Sequence, residues 1–338
     1  MTSNVTPEEK TRGPIFLTAS QVESLPDLEW LVPGILPKPG FGVLFGEPGC
    51  GKTFVALSLA LSLANGEEWV GRKVSSANVL YIAAEGIYGL KTRVSAFRQV
   101  YKINDERVRF TASQINVLED DQIEMFLASL KETGFHPDLI IFDTLARVTV
   151  GANENNAMDM GRAVAGLDRF KTAFNAFVLV LHHTTKNGYS ERGSSALRGA
   201  ADVMIECTSA ESKGGLEVTL ICSKMKDAEP FKTFTASLDK TELPSGASSL
   251  VMGGEVDPTS VISNINADRV LDIITEQFAN NGETYAELLK AFIAAKFGSK
   301  SSFDRGLRDL KWQKRIRSEG KGKGRLYFPI SVSVKSVS

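Results

Sequence analysis

Short apolar runs that end at a polar or charged residue recur along the first two thirds of this chain, with longer periodic stretches between them. The runs are Val43-Leu44-Phe45, Val79-Leu80-Tyr81-Ile82, Leu139-Ile140-Ile141-Phe142 and Ala176-Phe177-Val178-Leu179-Val180-Leu181. Each is of strand length and apolar at consecutive positions, as in a parallel strand covered on both faces. Between them the spacing predicts an apolar helix over 54–64 closed by Asn65-Gly66, a helix over 90–101 carrying Arg93 and Arg98, an amphipathic helix over 120–132 and another over 157–174. A short strand fits 108–111, and three further strands fit 202–207, 216–223 and 231–237. Strands alternating with helices predict an α/β fold with a mostly parallel central sheet.

The ends of the chain read differently. Residues 1–28 are polar and mixed in sign, a flexible lead-in with at most a short helix around 20–24. Trp30-Leu31-Val32-Pro33-Gly34 and Ile35-Leu36-Pro37 form a proline-punctuated approach to the first strand; Trp30 there packs on the core or, alternatively, stacks on a nucleotide base. The core is assigned to 29–240. Residues 241–264 are Ser/Gly/Pro-rich and predict an interdomain linker. Three helical patterns then fall at 267–278, 284–296 and 299–314, followed by Ile316 and Leu326-Tyr327-Phe328 flanking Gly320-Lys321-Gly322-Lys323-Gly324. Helix, helix, helix, hairpin is the winged-helix plan, a helix-turn-helix variant, assigned to 265–332 with a tail at 333–338.

The chemistry sits at the ends of the apolar runs. Gly46-Glu47-Pro48-Gly49-Cys50-Gly51-Lys52-Thr53 fits G-x-x-x-x-G-K-[ST] at every fixed position, between a predicted strand and a predicted helix. Glycines there let backbone N–H groups wrap a phosphate, and the helix N-terminus adds its positive end. Lys52 reaches β/γ-phosphates and the Thr53 hydroxyl is placed for magnesium; with Phe54 these residues make the candidate nucleotide site. Asp143 closes the 139–142 run in the Walker B manner, where it orients a magnesium shell. A cap on the next turn is the other reading of Asp143. Glu85 follows the 79–82 run. His182 and His183 end the run at 176–181, where open α/β sheets bind ligands; one of them could be a satisfied core histidine. The stretch from Lys186 through Arg192 to Arg198 is too rich in glycine, hydroxyls and cations for a core.

Composition narrows the class. The 338 residues are 43% hydrophobic and 23% charged, enough for one large and one small globular domain. The formal net charge is −1, yet residues 299–325 hold ten Lys/Arg against Asp304, Asp309 and Glu319, a local +7 that leaves −8 elsewhere. A basic C-terminal segment points to a polyanion: Lys300, Arg305 and Arg308 on the third helix, with Ser301, would face DNA, and Lys321 and Lys323 would lie along phosphates. Three cysteines without ligand spacing suggest neither a disulfide framework nor a zinc site and fit a reducing cytoplasm. No segment approaches the ~18 apolar residues of a membrane span.

Residues 30–237 resemble the RecA-like ATPase core of the RepA-type hexameric replicative helicases. The resemblance is carried by Gly46–Thr53, Tyr81-Ile82-Ala83-Ala84-Glu85-Gly86, Ile140-Ile141-Phe142-Asp143-Thr144-Leu145, Leu181-His182-His183-Thr184 and Arg192-Gly193-Ser194-Ser195. It implies a RecA-like P-loop NTPase that uses ATP and Mg2+, hydrolyses ATP between adjacent subunits of a homo-oligomeric ring, a hexamer, and moves on single-stranded DNA. In that reading Glu85, at the tip of the strand next to the phosphate loop, is the general base. A carboxylate in reach of a water in line with the γ-phosphate is what hydrolysis needs. His183 resembles a γ-phosphate sensor, with His182 as the weaker candidate, and Lys186, Arg192 and Arg198 resemble central-channel contacts to DNA. Related rings place a lysine and an arginine two residues apart as a trans-acting finger. Here the pair is Lys224 and Lys226, so a point charge replaces a rigid fork unless Arg192 or Arg198 serves. Two other functions remain open: a RecA-like loader or recombination ATPase, and an ATP-switched winged-helix regulator that reads duplex DNA. A pure switch has no need of a hydrolytic base such as Glu85.

Overall fold

A computed structural model of the chain describes residues 16–85, 87–113, 115–183, 191–212, 215–256, 265–278, 282–295, 297, 300–312 and 315–330; at 191–195, 212, 215, 265–268, 277–278, 301–302, 305, 309, 312 and 323 it describes the backbone alone. Helix α1 (Ala19–Glu23) is one turn, capped by the Thr18 hydroxyl, which accepts from the Gln21 N–H while the Gln21 side chain accepts from the Thr18 N–H. Strands β1 (Glu29–Val32) and β2 (Leu36–Lys38) form an antiparallel hairpin, and Leu31, Val32, Ile35 and Leu36 sink into the core beneath it.

The α/β body follows as β3 (Gly40–Gly46), α2 (Lys52–Asn65), β4 (Val79–Ala83), α3 (Ile87–Val100), β5 (Val108–Thr111), α4 (Asp120–Glu132), β6 (Leu139–Asp143), α5 (Leu145–Val148), α6 (Ala157–Phe174), β7 (Phe177–His183) and α7 (Glu191–Ala200). Then come β8 (Val203–Ser212), β9 (Gly215–Met225), β10 (Phe234–Glu242) and β11 (Ser248–Val256). All but β1 and β2 of these strands lie in one nine-stranded sheet, ordered β11-β10-β9-β8-β3-β7-β6-β4-β5. From β8 to β5 neighbours run parallel, and β9, β10 and β11 continue antiparallel. Two expectations are corrected here. Strand β4 is not beside the phosphate-loop strand: β7 and β6 intervene. Nor is the whole of 241–264 a linker, because residues 248–256 form an edge strand on β10. Its serines and glycines mask a pair of buried residues, Val251 and Met252, while Pro244 and Gly246 belong to the β10–β11 turn; 257–264 lie outside the described residues.

Alternation along the strands sorts side chains to two faces. Val79 and Tyr81 of β4, Leu139 and Ile141 of β6, and Leu179 and Leu181 of β7 join the core that also contains α2 and α3. Leu80 and Ile82, Ile140 and Phe142, and Val178 and Val180 face α4, α5, α6 and α7. The period of two then assigns Asp143 and His183 to the α2 side and His182 to the other. Packing is close: a Cβ at Gly40 or Gly42 of β3 would meet the Phe177 ring at 2.7 or 2.5 Å.

The C-terminal elements are α8 (Ile265–Phe278), β12 (Glu283–Thr284), α9 (Tyr285–Ala294), α10 (Lys300–Trp312), β13 (Ile316–Glu319) and β14 (Leu326–Pro329), with β14 between β12 and β13. Three helices and a hairpin stand where the sequence places them. They enclose their own core of Val270, Ile273, Ile274, Leu288, Phe292, Phe303, Leu307, Leu310, Ile316 and Tyr327. Among the described residues no helix is long and apolar enough to cross a membrane.

Candidate active site

The end of β3 turns sharply into α2. Gly49 and Gly51 take φ of 81° and 95°, left-handed values that glycine accepts without a Cβ penalty, and Gly51 is the N-cap of α2. Gly46 is required for a different reason: a Cβ there would meet the Cys207 carbonyl oxygen at 2.1 Å and Cys50 Sγ at 2.8 Å. Gly46→Ala is therefore expected to destabilise the protein by ~1–3 kcal/mol, the range for overpacking, read as a lower denaturant midpoint.

Lys52 curls back into the loop that it follows. Its ammonium donates to the carbonyls of Gly46 (3.0 Å) and Glu47 (2.9 Å) and reaches Cys50 Sγ at 3.7 Å, and the residue is only 4% exposed. Among the described residues no carboxylate lies within 4.0 Å of it. A buried ammonium whose two nearest acceptors are neutral carbonyls is set to receive an anion. The first N–H groups of α2 have no intrahelical carbonyl and supply donors to that anion. The loop thus fits a phosphate chain.

The residues for magnesium also fit. Asp143, at the tip of β6, is 5% exposed; its Oδ2 accepts from the Tyr81 hydroxyl at 2.7 Å, while Oδ1 is buried without a hydrogen-bond donor. Burial raises its pKa, opposed by hydrogen bonds from Tyr81 and from Thr53, the residue that follows Lys52. A carboxylate oxygen lacking a donor beside a phosphate-loop threonine suits a hard cation with oxygen ligands. Asp143 is the strand's last residue rather than a helix cap: the N-cap position of α5 is Thr144, whose hydroxyl makes no capping bond. Among the described residues no cluster of three or more His, Cys, Asp or Glu forms an all-protein metal site, and magnesium needs none when phosphates supply the remaining ligands.

Glu85 stands just beyond β4. Its Oε1 accepts from the Thr144 hydroxyl at 2.9 Å and lies 3.6 Å from His183 Nε2, and its N–H donates to the Asp143 carbonyl at 3.3 Å. Its side chain is 48% exposed, so it meets water while two neighbours fix its direction. Lys52, Asp143, Glu85 and His183 therefore gather at the C-terminal ends of β3, β6, β4 and β7. His182 turns to the opposite face, where burial lowers its pKa and leaves Nδ1 without a partner. Tyr81, Thr144 and Arg93 also belong to the site; Tyr81 and Thr144 lie within the stretches that carry the resemblance but have no assigned role in it, and Arg93 reads in the sequence only as a helix residue. The Arg93 guanidinium lies 5.0 Å from the Phe54 ring centroid and favours the charged form of Asp143. Phe54 and Arg93 also line an open shelf with Thr92, Lys240 and Leu250. Trp30 is half-buried on the β1–β2 hairpin, opposite Pro37, and is not among the residues of either hydrophobic cluster of the α/β body.

Other candidate residues lie apart from this cluster. Lys224 donates to the carbonyls of Arg198 (2.6 Å) and Gly199 (3.3 Å), Lys226 pairs with Asp202 at 3.4 Å, and Arg198 donates to Ser223. Met225 pairs with Val203, itself beside Gly42, so these cations sit toward the end of the sheet away from the phosphate loop. They are not part of this chain's own phosphate site. Lys186 and the side chain of Arg192 lie outside the described residues, as do the side chains of Arg305 and Lys323. Lys300 and Arg308 are exposed on α10 along the stripe that also holds Asp304 and Lys311, beside buried Phe303, Leu307 and Leu310; Lys321 is exposed in the β13–β14 turn.

No curated protein matches the chain. A KaiC-like protein from the hyperthermophilic archaeon Pyrococcus horikoshii OT3 is similar in structure, with a TM-score of 0.46 and 14% identity over 66% of this chain and 93% of that one. Residues 7–189 match a family described as AAA domain (AAA_25). That segment spans the phosphate loop, Glu85, Asp143 and both histidines and makes up more than half of the chain, which therefore belongs to the AAA domain family.

Proposed function

We propose that this protein is an ATP-hydrolysing DNA motor of the RepA helicase type, working as a homo-oligomeric ring on single-stranded DNA. The observation that carries hydrolysis is the placement of Glu85, tied by Thr144 and His183 beside Asp143 and half open to water. In the proposed reaction Glu85 orients a water and takes its proton as the water oxygen bonds to the γ-phosphorus. The bond to the β,γ-bridging oxygen breaks and ADP leaves. Lys52 and the α2 N-terminus neutralise the phosphate charge, and His183 is positioned to sense the γ-phosphate through its contact with Glu85. Magnesium, held through Thr53 and Asp143, would add charge neutralisation on the phosphate oxygens. Lys224 or Lys226 would serve across a subunit boundary, since neither reaches the site in its own chain.

The DNA half of the proposal draws on the C-terminal elements: a winged-helix order, with Lys300, Arg308 and Lys311 on the outer face of α10 and Lys321 in the turn. The rate of ATP turnover with magnesium, with and without single-stranded or duplex DNA, tests it. Stimulation by single strands is expected. Slow turnover unaffected by single strands, with tight binding to one duplex sequence, would instead establish the second reading, an ATP-switched regulator, which the same basic stripe favours. Removing residues from 265 onward is expected to weaken duplex binding and to flatten its salt dependence by ~0.9 in log–log slope per lost phosphate contact. An unchanged slope would remove DNA from the role of this domain.

A further inference from the structure

Cys50 in the phosphate loop and Cys207 on β8 are 157 residues apart in sequence and in contact in the fold. The Cys207 thiol lies 3.4 Å from the Cys50 carbonyl oxygen, to which it donates. The Lys52 ammonium approaches that sulfur at 3.7 Å, and Gly46 is wedged between Cys50 Sγ and the Cys207 carbonyl. Cys207 is fully buried and Cys50 is 6% exposed, so access to the pair runs through Cys50 and suits a small reagent. The neighbouring Cys207 thiol, with help from Lys52 and against burial, brings the Cys50 pKa down to about 7, whereas Cys207 as donor is held well above the usual thiol range. One sulfur is thus available as thiolate and the other keeps its proton. ATP hydrolysis uses neither of them.

We propose that Cys50 and Cys207 form a peroxide-sensitive dithiol whose disulfide locks the phosphate loop to β8 and lowers its affinity for nucleotide. The Cys50 thiolate attacks a peroxide oxygen, the O–O bond breaks, and the departing hydroxide is protonated to water, leaving a sulfenic acid. The Cys207 sulfur then attacks Cys50 Sγ; the S–O bond breaks, and hydroxide leaves with the Cys207 proton as a second water. Two thiols are oxidised and one hydrogen peroxide is reduced. The new S–S bond is about 2 Å long, well inside hydrogen-bonding distance, so it draws Cys50 toward β8 and away from the position that aims the neighbouring N–H groups at a phosphate. It also takes the anionic sulfur away from Lys52. The loss of affinity rests on the nucleotide-binding reading of the loop; the disulfide itself does not.

The full-length protein is first reduced, and binding of a fluorescent ATP analogue with magnesium is measured. Absence of binding at this stage counts against the nucleotide site alone. The protein is then treated with hydrogen peroxide and digested without reduction, and its peptides are weighed, a readout that needs no nucleotide. The expected result is a Cys50–Cys207 linked peptide together with an affinity at least ~10-fold weaker, the size of one lost hydrogen bond to a charged group, restored by dithiothreitol. Cys222→Ser should behave as the unaltered protein does. Cys207→Ala should leave a sulfenic acid on Cys50 that dimedone traps. A peroxide-treated protein without the linked peptide, or one that forms it and binds nucleotide as before, overturns the proposal.

Discussion

Lys52→Ala is expected to abolish nucleotide binding while leaving the fold in place. The ammonium is the one cationic side chain in the loop sequence Gly46–Thr53, and each hydrogen bond from it to a phosphate oxygen is of the charge-assisted kind, worth ~1.5–3 kcal/mol. Two such bonds amount to a loss of at least ~100-fold in affinity. The cost to stability is small by comparison, because the substitution removes a buried cation as well as its bonds to the Gly46 and Glu47 carbonyls. Titration of an ATP analogue, alongside thermal unfolding, separates the two effects. Normal turnover in this variant would sink the assignment of the loop.

Glu85→Gln asks a narrower question. Glutamine keeps an oxygen to accept from the Thr144 hydroxyl, so the side chain should hold its direction and lose only its basicity. ATP binding is expected to persist and turnover to fall at least ~100-fold, as for removal of a general base. A variant that hydrolyses at the normal rate would make Glu85 a structural carboxylate and move the base elsewhere. Measuring affinity and single-turnover rate on the same sample tells these outcomes apart.

Much of this site is legible without coordinates, because its main parts are local. Gly46 to Thr53 is contiguous, and Asp143 and Glu85 each close an apolar run, so strand ends and chemistry are read together. What stays hidden is long-range. Tyr81 meets Asp143 across 62 residues and Thr144 meets Glu85 across 59, contacts that only the β4–β6 register creates. The choice between His182 and His183 likewise needs to know which face carries α2. Strand β11 escapes for another reason. Composition averages over serine and glycine, whereas the strand needs only Val251 and Met252 to be buried; its Gly253 packs against Ser237 and Asp239. Sheet order has no local signature at all, which is why β4 reads as the neighbour of β3.

The placement of β8 bears on where this protein can be cut. The family resemblance ends at residue 189, but β3 has β7 on one side and β8 on the other. Val218, Leu220, Phe234 and Leu238, all beyond that point, share a core with α2. A fragment stopped where the likeness stops would bare the backbone of the phosphate-loop strand from Gly42 to Phe45 and strip one flank of its helix. A fragment able to stand alone therefore has to run on through β10, well past the segment that matches the family.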